Sequence, residues 1–410
     1  MAAALSVPNL IGESDDRVAE LERQVNRIAL ASKDAIADTR TLRVVGQEIT
    51  NDSDNTDAHL NNVILEVNGN GPRLSVSGTA HDQFAEKLGI PKVYYRRMLA
   101  TQPGLLAVNM NRWLNVEPEK RLLRLIGGHD EASNQRLAFT NTDYTIRAFL
   151  GASYRPLDNA ELVQTVLPEL KARGAYLREF SLTDQRLHAK FLTVERDVKD
   201  IATGRVLESA FVGEVVRMGV YLRNSETGFA SLDVSGLIEI LKCLNGLICP
   251  AATKVRHIGG KRGADEDGLN FLSSQTQRLD NAAIFSRVRD TVIAALNEEA
   301  QVKYAESIIT AKATVIEPEV PTFEFIDRIG ATLQLTDAEN EVLKEEVAYS
   351  NVVEGGFTQF SLSQGVTALA RQATNYDRRT ELERAGWQII TGDTGKLLAA
   401  GRATARNSRN

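Results

Sequence analysis

The periodicity of apolar residues changes near residue 273, and this limits the folds open to the chain more than any other feature. Before it, short runs rich in Val, Ile, Phe and Tyr alternate with short helical stretches; after it, apolar residues recur almost wholly at helical spacing. Long helical periodicity spans Ser274 to Ala313, and Pro318 and Pro321 then punctuate the chain. Shorter helices are predicted at Phe323 to Thr332, Thr336 to Tyr349, Ser361 to Thr374 and Asp377 to Ile390, the second opened by a Thr336/Glu339 capping box.

The first part shows no clean strand-helix-strand repeat. It predicts an α+β fold: a mixed, largely antiparallel sheet core with packed helices, followed by a mainly helical C-terminal region. The corresponding divisions are an N-terminal arm and helix (1–46), an α+β core (47–272), a helical region (273–394) and a basic disordered tail (395–410) carrying Lys396, Arg402, Arg406 and Arg409 without an acid.

Residues 1–14 read as a loose arm. From Asp15 onward Val18, Leu21, Val25 and Ile28 recur in steps of three and four, a short seam that either docks on its own domain or joins two subunits. Gln47 to His59 reads as an exposed polar connection, and Val63–Val67 with Arg73–Ser77 as a hairpin turning at Asn68-Gly-Asn-Gly-Pro72. Thr79 to Leu99 reads as helix, turn at Gly89 and second helix, a helix-turn-helix outline that would present Lys92, Tyr95, Arg96 and Arg97, or an ordinary core helix pair with a basic outer face. Gly104–Leu114 is a further helix or strand, Arg121–Ile126 a strand, and Leu187–Val194, Phe211–Arg223 and Gly228–Val234 extended pieces. A helix is predicted over Gly236–Leu247.

In the middle lies Arg147 to Leu170. Its Arg155-Pro156 break precedes Asp158 and Asn159, placed to cap a helix whose Leu162, Val163, Val166 and Leu167 face a core.

Chemistry is sparse. Five scattered histidines form no metal-ligand pair, and Cys243 and Cys249 fit neither a disulfide framework nor a zinc site, so no cofactor is expected and a reducing cytoplasm is the natural compartment. Gly392-Asp-Thr-Gly-Lys-Leu397 lacks the first glycine of a phosphate loop and has Leu397 where the metal-binding hydroxyl belongs. Neither a signal peptide nor a run of roughly 20 apolar residues for a membrane span is evident.

A net charge of −6 gives no global attraction for nucleic acid, so local clusters must carry any such role. The candidates interleave cations with aromatic rings: Tyr94, Tyr95, Arg96 and Arg97; Arg112 beside Trp113; Arg155 beside Tyr154; and Lys254, Arg256, Lys261 and Arg262 in a glycine-bearing loop. Phosphates need the cations and unstacked bases need the rings. Convergence on one face is the requirement.

Ala148-Phe-Leu-Gly-Ala-Ser-Tyr-Arg-Pro-Leu-Asp-Asn159, Asn224-Ser-Glu-Thr-Gly228, Cys243-Leu-Asn-Gly-Leu-Ile248, Arg256-His-Ile-Gly-Gly260, Thr367-Ala-Leu-Ala370 and Glu381-Leu-Glu-Arg-Ala-Gly-Trp387 together resemble a phage/plasmid-like protein family of unknown function, the YfjQ/YafZ-type prophage proteins. The resemblance spans about residues 75 to 390 and implies a phage, prophage or plasmid setting, with no activity or catalytic residue to carry over. Elements of that kind encode single-strand annealing proteins, to which this chain is similar in class only. The expectation is a non-enzymatic, homo-oligomeric, single-stranded-DNA-binding protein of recombination or replication. The alternatives are a regulatory factor that binds a host or phage protein through the helical C-terminal region, whose block 301–350 holds ten acidic and four basic residues, and a helix-turn-helix duplex binder.

Overall fold

The structure is a computed structural model that describes residues 7–47, 58–68, 71, 73–127, 129–130, 135–136, 144–193, 196–197, 215–240, 245–255, 257, 274–318 and 320–392. Helix α1 (Val7–Ala31) starts inside the segment expected to be a loose arm and runs directly into strand β1 (Ser32–Asp38). Its seam residues Val18, Leu21 and Val25 are buried with Leu162, Val166 and Leu177 of the same chain, so the seam docks internally.

After β1 come β2 (Leu42–Gly46), β3 (Val63–Val67), β4 (Arg73–Val76), β5 (Lys120–Gly127), a small hairpin of β6 (His129–Asp130) and β7 (Gln135–Arg136), and β8 (Tyr144–Gly151). Six of these form a sheet in the order β1-β5-β8-β4-β3-β2, which crosses the expected boundary at 46/47. Every pair is antiparallel except β4 with β8. A parallel pair needs a crossover. Helices α2 (Gly78–Lys87), α3 (Lys92–Thr101) and α4 (Pro103–Val116) supply part of it and cover one face of the sheet, burying Phe84, Tyr95, Leu99, Leu106 and Met110 against Leu123, Ile146 and Phe149. Gly89 turns the chain between α2 and α3 at φ +64°, a conformation that disfavours side chains. Edge strand β2 is closed by Asn111 of α4, whose amide accepts from the Val44 N–H and donates to the Val44 carbonyl, both at 2.8 Å.

Helix α5 (Asn159–Ala172) leads to a second, wholly antiparallel sheet of β9 (Tyr176–Leu182), β10 (Leu187–Leu192), β11 (Arg196–Asp197), β12 (Val215–Asn224), β13 (Leu232–Ile240) and β14 (Asn245–Val255). The helix predicted over Gly236–Leu247 is instead β13 and the start of β14. All nine residues of β13 are buried. Leu237, Ile238, Leu241 and Leu244 recur at helical spacing in the sequence, and the strand's Asp233, Ser235 and Glu239 are polar yet buried, so periodicity pointed to the wrong element.

The periodicity predicted beyond residue 273 is helical throughout. The single stretch expected over 274–313 is two helices, α6 (Ser274–Ala295) and α7 (Glu298–Ala313), parted where the Asn297 side chain caps the Ala300 N–H. Helix α6 buries Ile284, Phe285 and Val288 with α1 and α5, so it belongs to the core of the preceding region. Then follow α8 (Thr322–Thr332), α9 (Asp337–Glu354) with its Thr336/Glu339 capping box, α10 (Gln359–Gln372) and α11 (Tyr376–Thr391). They pack around Phe325, Ile329, Leu343, Val347, Leu362 and Val366. Among the described residues no helix is long and apolar enough to cross a membrane.

Candidate nucleic-acid interface

Two sets of charged residues are distributed in opposite ways over the first sheet. On the helix-covered side, no Asp or Glu occurs from Leu88 to Val116. Helix α3 turns Tyr95, Met98 and Leu99 inward, which leaves Val93, Tyr94 and Arg97 on its outer surface. Helix α4 buries Leu106, Ala107, Met110 and Leu114, and the helical repeat then puts Leu105, Val108, Arg112 and Val116 on the opposite side, with Trp113 beside them. Exposures of 47% for Tyr94 and 40% for Trp113 leave much of each ring open to a ligand, and Val93 is 86% exposed. Lys92, Arg97 and Arg112 are exposed too, and none forms an ion pair with a described residue. The result is an outer layer with cations and rings but no carboxylate among its own residues.

Two of the expected residues on α3 serve elsewhere. Tyr95 is wholly buried and cannot stack a base: its hydroxyl meets His81 Nδ1 at 2.8 Å, and burial raises its pKa. Arg96 lies across Asp82, donating to Oδ1 at 2.6 and 3.1 Å, and reaches the Gly78 carbonyl at 3.0 Å. It fastens α3 to α2. A recognition helix showing Lys92, Tyr95, Arg96 and Arg97 together is therefore not what this helix pair presents.

Arg155 is also engaged, donating to Asp280 Oδ2 of α6 at 2.7 Å. Its backbone N–H donates to the His257 carbonyl at 2.8 Å, and Tyr154 stacks on the His257 ring with centroids 5.3 Å apart. The structure thus joins the Tyr154-Arg155 segment to the start of the basic loop. Lys254 is the penultimate residue of β14, exposed and in register with Asp233. Arg256, Lys261 and Arg262, like the tail 395–410, lie outside the described residues.

The opposite face of the first sheet carries a buried knot. Arg124 of β5 donates to Asp158 at 2.7 Å, to Asp34 at 2.9 Å and to the Glu226 carbonyl at 3.0 Å. Arg147 of β8 pairs with the Glu226 carboxylate, with both side chains almost fully enclosed. The other Glu226 oxygen accepts the Asn159 N–H at 2.7 Å, so Glu226 caps α5, while Asp158, in the cap position, turns to Arg124. Burial works against the Arg124 charge, yet Asp158, Asp34 and Glu226 outweigh it and raise its pKa; burial likewise raises that of Asp34. Asn224 adds bonds to the Leu157 carbonyl and Asn159, and Gln83 of α2 donates to the Thr227 carbonyl at 2.6 Å. The Asn224-Ser-Glu-Thr segment ties the two sheets together and offers little surface to a ligand. Arg124 carries no signal in the sequence, while Arg147 and Glu226 lie inside the Arg147–Leu170 and Asn224–Gly228 segments with no spacing that marks them as partners.

One arrangement invites a catalytic reading. Ser181 stands opposite His188 in the β9–β10 pair, and His188 Nε2 lies 3.2 Å from Asp377. The other ring nitrogen meets the Tyr221 hydroxyl at 2.6 Å, and burial pushes the imidazole down to about 4. Both nitrogens are occupied, so neither is free to take a proton from Ser181. Among the described residues no group of three or more His, Cys, Asp or Glu is placed to hold a metal ion.

No family model, curated protein or solved structure matches the chain.

Proposed function

We propose that this protein binds single-stranded nucleic acid without chemistry, through the outer face of α3 and α4. The observation that carries the reading is the absence of acids from α3 and α4: Arg97 and Arg112 have no ion-pair partner among the described residues and are interleaved with the open rings of Tyr94 and Trp113, while Lys92, at the start of α3, lies within electrostatic reach of Glu86 on α2. Cations track a phosphate backbone, and aromatic faces stack unpaired bases whatever their sequence. Bases inside a duplex do not offer those faces, and the burial of Tyr95 and engagement of Arg96 remove half of what a duplex-reading helix would use.

A role in recombination or replication of a phage, prophage or plasmid belongs to the same proposal and rests on the family resemblance. Lys254 and the Arg155 segment are candidates for a second stretch of the nucleic-acid path. The test is fluorescence anisotropy of a labelled oligothymidylate and a labelled duplex of equal length, titrated from low to moderate salt. Binding to the single strand that weakens with salt and exceeds binding to the duplex is expected. Absence of binding at low salt removes the proposal, and preference for the duplex replaces it with the helix-turn-helix reading.

A further inference from the structure

The α3–α4 face has a counterpart elsewhere on the same chain. Helix α9 turns Leu343 and Val347 into the C-terminal core, and its outer side carries Glu341, Glu345, Tyr349 and Val352 at helical spacing. Tyr349 and Val352 are 67% and 83% exposed, with Val353 beside them. Lys344 is the one cation of α9, and it is held by Asp327 and Glu341. This is a helix face of carboxylates and apolar side chains. The α3–α4 face is a helix pair of cations and apolar side chains. Each is open to solvent, so within one chain neither covers the other.

We infer that the α9 stripe of one copy docks on the α3–α4 face of a second copy. Opposite charge selects the partner, and Tyr349 and Val352 meet Val93, Leu105 and Val108 in the apolar centre. The two surfaces differ, so the contact is head-to-tail and each copy keeps one free surface of each kind. Such association continues into a ring or an open chain. Competition between nucleic acid and a neighbouring copy for α3–α4 follows as well, and that corollary alone rests on the reading above.

Sedimentation velocity at low salt over a hundredfold concentration range tests the contact. The wild-type mass is expected to rise with concentration. Arg97→Glu with Arg112→Glu in one chain, and Glu341→Lys with Glu345→Lys in another, should each shift the midpoint of assembly at least tenfold upward, with unchanged circular dichroism. Mixing the two reversed chains should restore assembly, because each reversed surface then meets its reversed complement. A wild type that stays monomeric overturns the inference. So does assembly that survives both reversals, or a mixture that does not recover. Oligothymidylate binding by a monomeric chain would leave the nucleic-acid reading standing while removing this one. Assembly that oligothymidylate does not disperse would remove only the competition.

Discussion

Arg124 and Arg147 on one side of the first sheet, and Arg97 and Arg112 on the other, are the same residue put to opposite uses. The first pair is enclosed and meets Asp34, Asp158 and Glu226 at hydrogen-bonding range. The second pair is exposed on helices free of acids and is unpaired among the described residues. A buried guanidinium loses its hydration and must be neutralised on the spot, so it fixes geometry. An exposed one keeps its hydration and can exchange it for phosphate, so it remains available. Burial and partners, more than residue type, separate the joint from the interface.

That contrast can be broken in several ways. The largest effect is expected at the joint. Glu226→Ala strands Arg147 and uncaps α5, and should cost about 3–5 kcal/mol in urea unfolding, since removing one partner leaves a buried charge uncompensated. A loss below about 1 kcal/mol would mean that the knot is solvated and the contrast unfounded.

Acid should act on the same enclosed regions. Burial holds His81, His188 and His257 at about 4, below the ordinary 6.5. The unfolded chain therefore binds protons first as pH falls. The contribution of these neutral histidines to stability is fully present above pH 6.5 and is lost progressively toward pH 4, by about 3 kcal/mol per histidine. Chemical denaturation at pH 7 and pH 4.5 checks this, and His81→Gln should flatten the slope between them.

At the outer face the effect should move from stability to binding. Trp113→Ala is expected to weaken oligothymidylate binding by about 1–3 kcal/mol. Smallest of all, Arg97→Gln should leave stability within about 0.5 kcal/mol of wild type while lowering the slope of log affinity against log salt by about 0.7. If Arg97→Gln proved as destabilising as Glu226→Ala, the outer face would be a structural element and not a ligand surface.

The comparison also shows what could be read from the chain alone. Local signals were legible because their cause is local: the Thr336/Glu339 capping box, the reversal at Gly89 and the hairpin of β3 and β4 each depend on residues a few positions apart. The inward turn of Tyr95 beside the outward Tyr94 is a matter of helical phase, and it becomes visible only when Phe84, Met110 and Phe149 define which side is the core. Glu226 capping α5, Asn111 closing β2 and Arg155 reaching Asp280 join positions far apart in sequence, with no spacing to announce them. The mistaken helix at Gly236–Leu247 has a related root: Leu237, Ile238, Leu241 and Leu244 match helical spacing, whereas the pairing with β12 and β14 that makes β13 a strand leaves no mark in that spacing. Of the candidate site, the cation-aromatic composition of α3 and α4 was legible, and the fate of each side chain was not.

The central claim places single-stranded nucleic acid on the exposed ring of Trp113, and the chain provides its own reporter. It has two tryptophans, of which Trp387 is buried against Met218, Ile238 and Leu247 of the second sheet and Trp113 is open. Intrinsic fluorescence of the wild type should be quenched saturably by oligothymidylate at low salt, recover on adding salt, and lose that response in Trp113→Phe. Binding by anisotropy with no change in Trp113 emission would contradict the account.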